Sequence, residues 1–506
     1  MSNRKYTVKI IFFALLIQLA ITACDGSNNN EQPVKEATPA IEESTEEIQI
    51  AGEDTNSTIE EAVEDVIKEV EEITTQESIA DYDADLYGAI DDIDLNGVQV
   101  TFWTRYDDSK RKEAMDSICA DFNANNEYGI VIECLPIGHY SIIYDNMIAG
   151  LNTGELPGLV VAYQEQAATY QSANGLVGID PYMNHPVYGL REGEADDFFQ
   201  LFIDSDRLPQ FNNQVYGFPA AGRSMEMLFV NMDWLVELGY DAAPQTPEAF
   251  AEMACAATAR PFSKNESGFS AGMELSTGAS AFASWVFARG GDIYDLEAGK
   301  FTYNTPEAVE AMTMLQDLYA NGCIAQISEQ YGDQTDFGNG KTLFTTSSSS
   351  GLPFYADAVN DGEVGSFAWT VAPLPYTGNV PVQNIYGASV SIIRTDPQTQ
   401  LASWLFLKFW SSPENQAKWT QASNYFPVRA SAIAELSDYM SENTTFGTAF
   451  DLLQYSKAEA PVAGYDNIRN IVNETMIAIV FDGADVTESL AALETQANKI
   501  MAESAP

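Results

Sequence analysis

Val98-Gln99-Val100-Thr101-Phe102-Trp103 is followed by Ser109 to Phe122, then by Ile130-Val131-Ile132-Glu133-Cys134-Leu135, Ser141 to Leu151 and Leu159-Val160-Val161-Ala162-Tyr163. The three short runs are rich in β-branched and aromatic residues, as strands are, while the longer stretches between them repeat apolar residues at helical spacing. Strand, helix, strand, helix, strand in that order predicts a parallel α/β sheet. Farther along, Thr246-Pro247-Glu248, Thr305-Pro306-Glu307 and Ser412-Pro413-Glu414 each supply a capping hydroxyl, a residue of fixed φ and an acid for the positive end of a helix. Three helix starts are expected there, and none needs a ligand to explain it.

Upstream of this stretch the chain changes character twice. Arg4, Lys5 and Lys9 precede an apolar run from Ile10 to Ile21, which ends in Thr22-Ala23-Cys24. Such a run is too short to span a bilayer and reads as an export signal over residues 1–24. Its end resembles the lipobox of bacterial lipoproteins, which implies a lipid on the Cys24 thiol; the alternative is an ordinary signal peptide with an incidental cysteine. Residues 25–96 then hold 23 acidic and 2 basic side chains and no Phe or Trp. Apolar surface is too scarce there to offset the entropy of ordering, so the segment is expected to be a flexible acidic tether. Ile59, Val63, Val66, Val70 and Ile73 recur at helical spacing, consistent with a short solvated helix.

The whole chain of 506 residues carries 74 acidic and 24 basic side chains, and residues 97–506 alone carry −32. That charge disfavours nucleic acid and anionic lipid as direct partners, leaving the lipid anchor as the expected membrane contact. Cys119, Cys134, Cys255 and Cys323 allow three disulfide pairings, among which the sequence does not choose. With no C-x-x-C spacing and only His139 and His185, no zinc site is expected, and no cofactor is. Asp92, Asp94, Asn96 and Gly97 imitate the start of a calcium loop, but its twelfth position is Trp103 where a bidentate Glu is required. Gly268-Phe269-Ser270-Ala271-Gly272 matches a nucleophile elbow, yet both histidines lie upstream of Ser270, against the usual order of that fold. A serine hydrolase is therefore disfavoured, and these five residues read as a small-residue turn and strand. No phosphate-cradling G-x-x-x-x-G-K-[ST] occurs, so nucleotide hydrolysis is not expected.

Several segments in order carry a further likeness. Phe102-Trp103, Asp121-Phe122-Asn123-Ala124-Asn125, Ile148 to Pro157, Val230-Asn231-Met232-Asp233, Gly387-Ala388-Ser389, Trp410 to Asn415 and Asn424-Tyr425-Phe426-Pro427-Val428 resemble the family 1 extracellular solute-binding proteins that serve ABC importers. The resemblance covers about residues 97 to 506. It implies a type II fold, periplasmic-binding-protein-like: two α/β lobes, each a mixed sheet flanked by helices, joined by hinge strands that close on a solute. The crossings are expected near Ala221 to Phe229 and near Ser389 to Ile393. One lobe would then span about 97–222 and 341–390, the other about 223–340 and 391–506.

Within the family the likeness is greatest to its glycerol-3-phosphate-binding members. Tyr140, Ser224, Ser348, Gly387, Tyr425 and Arg469 fall on positions that contact ligand there. Gln164 replaces a carboxylate that serves the glycerol hydroxyls, and Ser276 replaces a tryptophan, which would leave room for a larger solute. An arginine holds phosphate oxygens through a planar fork where a lysine offers a point charge, which makes Arg469 the informative position; the plain alternative is a surface ion pair. Arg105, just after the first strand, is either a second cationic contact or solvent-facing. Tyr140, Tyr163 and Tyr425 suit stacking on a sugar instead. The resemblance thus implies a non-enzymatic, membrane-anchored, extracytoplasmic receptor that delivers sn-glycerol-3-phosphate or a related phosphorylated polyol to an ABC permease. A neutral sugar or oligosaccharide is the alternative solute, and a structural surface protein is the remaining rival class.

Overall fold

A computed structural model describes residues 82–107 and 109–504. The export signal, Cys24 and the helical spacing of Ile59 to Ile73 lie outside the described residues. Two larger sheets are built from β1 (Gln99–Thr104), β2 (Val131–Pro136), β3 (Leu159–Ala162), β4 (Ser224–Asn231), β5 (Ala271–Leu275) and β6 (Ile324–Gln326). They are completed by β7 (Thr342–Ser348), β8 (Trp369–Ala372), β9 (Gln383–Tyr386), β10 (Ser389–Ile392) and β11 (Ser456–Ala458).

The first sheet has the order β10-β3-β1-β2. β1 runs parallel to both neighbours, with Phe102 opposite Cys134 on one side and Leu159 on the other, and β10 adds an antiparallel edge. The expected strand–helix alternation is present, with helices Ser109–Asn125 and Tyr140–Thr153 between the strands. The second sheet has the order β6-β5-β7-β4-β9-β11, with β8 also paired to β4. Its central strand β4 is buried at every residue, as a strand covered on both faces should be. The fold is the two-lobe, type II mixed α/β architecture.

Local chemistry explains the helix boundaries. Thr246, Thr305 and Ser412 accept hydrogen bonds from the backbone N–H of Ala249, Ala308 and Asn415, and a proline follows each cap. Helices Pro397–Trp410 and Pro413–Ser423 pack aromatic residues under the first sheet: Phe102 lies 5.9 Å from Phe406 and Tyr106 lies 4.6 Å from Trp419, ring to ring. Edge-on pairs of this kind add about 0.5–1.5 kcal/mol each beyond their burial. Cys119–Cys134 ties a helix to β2, and Cys255–Cys323 ties helix Pro247–Ala259 to the turn before β6.

The limits of the lobes differ from the sequence-based expectation. Packed structure begins before residue 97, because Tyr87, Ile90 and Leu95 are buried in the core. The Tyr87 hydroxyl donates to the Gly178 carbonyl at 2.8 Å, and Gln400 Nε2 donates to the Leu86 carbonyl at 2.9 Å. A few apolar anchors suffice there, and the acidic average over residues 25–96 hides them. The lobe assignment is also exchanged in two places. β7 lies within the second sheet, between β5 and β4, so residues 341–386 belong with the second lobe and not the first. Helices Pro397–Trp410 and Pro413–Ser423 cover the first sheet, which places much of 391–430 with the first lobe. A strand's own pattern does not name its partner, so the sequence left these returns ambiguous.

The chain crosses between the lobes three times. It passes from Phe218, which pairs with Val390, into β4 at Ser224; it returns between β9 and β10 at Gly387-Ala388; and it leaves again after Phe426, which pairs with Arg223. The first two lie a few residues before their expected positions, and the third was not expected. At Gly222, φ is +81° and a Cβ would stand 2.6 Å from the Phe426 carbonyl oxygen, so only glycine lets the first and third crossings touch.

Candidate solute-binding cleft

In an open α/β sheet the carboxyl ends of the strands form the crevice where ligands bind. In the first lobe that edge carries Arg105 after β1, Tyr140 at the start of the helix after β2, and Tyr163 after β3. The Tyr140 and Tyr163 rings meet edge-on at 4.7 Å, and the Arg105 guanidinium lies 5.2 Å from the centre of the Tyr140 ring. Burial pushes the Tyr140 and Tyr163 phenols up, with the neighbouring Tyr425 adding to it. Tyr425, 7% exposed, arrives on the third crossing.

The second lobe contributes Arg469, on helix Tyr465–Val480. Its Nη1 donates to Glu459 Oε2 at 3.0 Å, its Nη2 donates to Ser280 Oγ at 2.9 Å, and its Nε stands 4.0 Å from Glu165 Oε1 of the first lobe. Arg469 is therefore neither a free guanidinium nor a surface ion pair: it bridges two acids at the lobe junction while its side chain stays 31% exposed. Burial pushes Glu459 up, but Arg469 together with donors from Asn384, Ser280 and Tyr465 more than offsets it, leaving the carboxyl below its ordinary range. Glu165 gains less from Arg469, and burial raises it to about 7.

Tyr163, Gln164, Arg223, Tyr386, Glu459 and Arg469 surround a gap of about 20 Å³, room for one water and not for a polyol. It adjoins a wider cavity of about 450 Å³ lined by Ser276, Thr277, Ser348, Tyr386 and Glu226. The Glu226 carboxylate accepts from the Tyr386 hydroxyl, and burial raises Glu226 to about 7.

The remaining expected residues fall around the crossings. Gln164 turns inward: its Nε2 donates to Asp206 Oδ1 at 2.9 Å, to the Gly387 carbonyl at 3.2 Å and to Ser389 Oγ at 3.3 Å. Gly387 has φ +146°, and a Cβ there would stand 3.3 Å from the Gly222 carbonyl oxygen. Ser224 is buried, its hydroxyl 2.9 Å from Ser349 Oγ and accepting from the Ser350 N–H at 3.1 Å. Ser348 is half-buried, with Oγ 2.9 Å from Ser350 Oγ. Arg469 thus lines the small gap and Ser348 the wider cavity, Tyr140 is half-buried and Tyr425 buried, whereas Gln164, Ser224 and Gly387 serve the junction itself.

Sequence reasoning missed the ion pair at the centre of that junction. Arg223 Nη2 donates to Asp206 Oδ2 at 2.8 Å and to Ser389 Oγ at 2.9 Å, and the Arg223 and Asp206 side chains are almost wholly buried. The two are 17 residues apart with no motif around them, so no local signal marks them. Glu459 is equally unmarked. Ser270, the nucleophile-elbow serine, donates to the Ala257 carbonyl at 3.1 Å and ties the start of β5 to a helix.

The sequence profile of the bacterial extracellular solute-binding protein family matches residues 117–448, about two thirds of the chain. The chain belongs to this family. Among similar family members is the sn-glycerol-3-phosphate-binding periplasmic protein UgpB of Escherichia coli K12, 26% identical over 353 residues, which cover 66% of this chain and 75% of that protein. Among solved structures, UgpB from Mycobacterium tuberculosis in complex with glycerophosphocholine superposes with a TM-score of 0.67 at 18% identity, over 80% of this chain and 98% of that one. The cyclic alpha-maltosyl-1,6-maltose binding protein from Arthrobacter globiformis superposes with a TM-score of 0.68 at 18% identity, over 81% and 100%. At that identity the structures establish the solute-binding fold alone. Family membership places the chain among extracellular solute-binding proteins, and the relatives named here are named for the solutes they bind.

Proposed function

We propose that the protein is a lipid-anchored, extracytoplasmic receptor of an ABC importer that captures sn-glycerol-3-phosphate or a related phosphorylated polyol and hands it to a membrane permease. No chemistry on the solute is involved. The observation that carries the phosphate-ester reading is the place of Arg469: a guanidinium beside the gap between the lobes of a strongly acidic protein, at a position for which the resemblance implies a ligand contact. Its unused N–H groups suit phosphate oxygens. Tyr140, Tyr425 and Ser348 would complete the contacts from both lobes, while Gln164, Ser224 and Gly387 would set the geometry of the junction. Because the gap beside Arg469 holds about 20 Å³, the solute enters when the lobes part and is enclosed as they close. The wider cavity beside Ser276 leaves space for a substituent on the phosphate.

A neutral sugar is the second reading, favoured by the carboxylate Arg469 already holds, by the tyrosine walls and by the maltosyl-binding structural neighbour. A thermal-shift screen of the full chain with glycerol phosphates, glycerophosphodiesters, sugars and polyols separates the two, since a ligand of the folded state raises the melting temperature by mass action. Stabilisation by phosphate esters alone is expected; stabilisation by sugars alone would replace the reading. The anchor is tested separately. Cys24→Ala should move the protein out of the detergent phase, and unchanged partition would show that Cys24 carries no lipid.

A further inference from the structure

Several buried or half-buried arginines among the described residues have a carboxylate within 4 Å. Arg223 faces Asp206, Arg429 faces Glu194 and Asp197, Arg289 faces Glu310, and Arg469 faces Glu459. Arg105 does not. Among the described residues its side chain has no ion pair and no hydrogen bond, although its Nε is fully buried. Its guanidinium lies 5.2 Å from the centre of the Tyr140 ring, and the phenols of Tyr140, Tyr425, Tyr106 and Tyr163 are the leading electrostatic neighbours.

Arg105 is half-buried, with only its Nε enclosed; partly removing a guanidinium from water with no counter-ion is still costly, and an acidic chain has abundant means to supply one. That the carboxylate is missing at this point, on the ligand-binding edge of the first sheet, calls for a partner that is not part of the protein. The position agrees. Arg105 follows the carboxyl end of β1, its guanidinium faces Tyr140, the Tyr140 ring meets Tyr163 at 4.7 Å, and Tyr163 lines the same gap as Arg469. The two cations therefore reach one cleft from opposite lobes.

We propose that Arg105 is the principal contact for an anionic group of the solute, phosphate or carboxylate, and that this group draws the lobes together by bridging Arg105 on the first lobe and Arg469 on the second. The inference rests on the reading of the protein as a solute receptor and narrows its solute to an anion. Arg469 already shares its charge with Glu459, so Arg105 supplies the uncompensated half of the attraction. The tyrosine rings shield it in part from water, which strengthens the contact.

The test is calorimetry on the full chain and on Arg105→Gln and Arg105→Lys, with sn-glycerol-3-phosphate, D-galacturonate and maltose as probes, and with the melting temperature of each ligand-free variant. Arg105→Gln should weaken binding of the anion the parent takes by roughly 10- to 150-fold, the span of a charge-assisted hydrogen bond, with partial rescue in Arg105→Lys. Its ligand-free melting temperature should be unchanged or higher, since an unpaired charge has no partner to lose. If the parent binds galacturonate and not glycerol-3-phosphate, and Arg105→Gln abolishes it, the inference holds while the phosphate-ester reading fails. If the parent binds glycerol-3-phosphate and Arg105→Gln retains it within threefold, the inference fails and that reading stands. A parent that binds maltose alone overturns both. A variant that melts several degrees lower and weakens every probe alike would make Arg105 a structural residue, which also overturns the inference.

Discussion

Asp206→Ala should be among the most damaging single substitutions in the protein, and the structure says by how much. The Asp206 carboxylate accepts from Arg223 Nη2 at 2.8 Å, Ser389 Oγ at 2.6 Å and Gln164 Nε2 at 2.9 Å. Both members of the ion pair are at most 2% exposed. Removing the acid leaves a guanidinium buried without a counter-ion and strips two further donors of an acceptor. Breaking a buried pair from one side costs about 3–5 kcal/mol. Replacing both partners by apolar groups removes the stranded charge, so Asp206→Ala/Arg223→Met should be more stable than Asp206→Ala alone, and the two substitutions should be strongly non-additive. Urea unfolding of the parent, the two single variants and the double variant, followed by tryptophan fluorescence, measures the cycle. A cost below about 1.5 kcal/mol for Asp206→Ala, or simple additivity across the cycle, would refute the picture of a clasp that depends on its counter-charge.

Two further predictions concern pH and the acidic segment. Burial raises Glu226 to about 7, above its unfolded value near 4.5; the folded state therefore binds the proton more tightly than the unfolded state, and the associated stability is complete below about pH 4.5 and is lost as pH rises through 7. Glu226→Gln keeps an acceptor for Tyr386 and should be near neutral at pH 5 but stabilising by roughly 3 kcal/mol at pH 8, from the size of the shift; equal effects at the two pH values in thermal denaturation would count against a buried acid there. Deleting residues 25–81, which stops short of the packed anchors Tyr87, Ile90 and Leu95, should leave solute affinity within about threefold because so acidic and apolar-poor a segment has little surface to bury, whereas deletion through residue 96 should lower the melting temperature. Loss of affinity in the shorter deletion would make the acidic segment part of the receptor.

What the sequence disclosed follows from how local each signal is. The β1 to β3 stretch was legible because its alternation and helix lengths are set within a few residues, and the caps at Thr246, Thr305 and Ser412 are legible for the same reason. The positions of Tyr140, Tyr425 and Arg469 came from resemblance and not from any local pattern. The environment of Arg469 was not legible, because Glu165 and Glu459 are separated by almost 300 residues and meet only through the lobe junction. Neither was the Asp206–Arg223 clasp, nor the return of β7 to the second sheet, whose Thr-rich run suits either sheet equally well. Gln164 shows the limit of carrying a role across by position: its amide N–H groups are drawn to Asp206, Gly387 and Ser389.

On the proposed reading a phosphate ester binds between the lobes with Arg469 as one of its contacts. Titration calorimetry of sn-glycerol-3-phosphate into the full chain and into Arg469→Lys tests it most directly. Saturable binding without turnover is expected in the parent, with a loss of about 1.5–3 kcal/mol in Arg469→Lys, because the lysine keeps the charge and the pairing with Glu459 but not the planar fork. No binding of glycerol-3-phosphate by the parent, together with tight maltose binding that ignores Arg469→Lys, would contradict it.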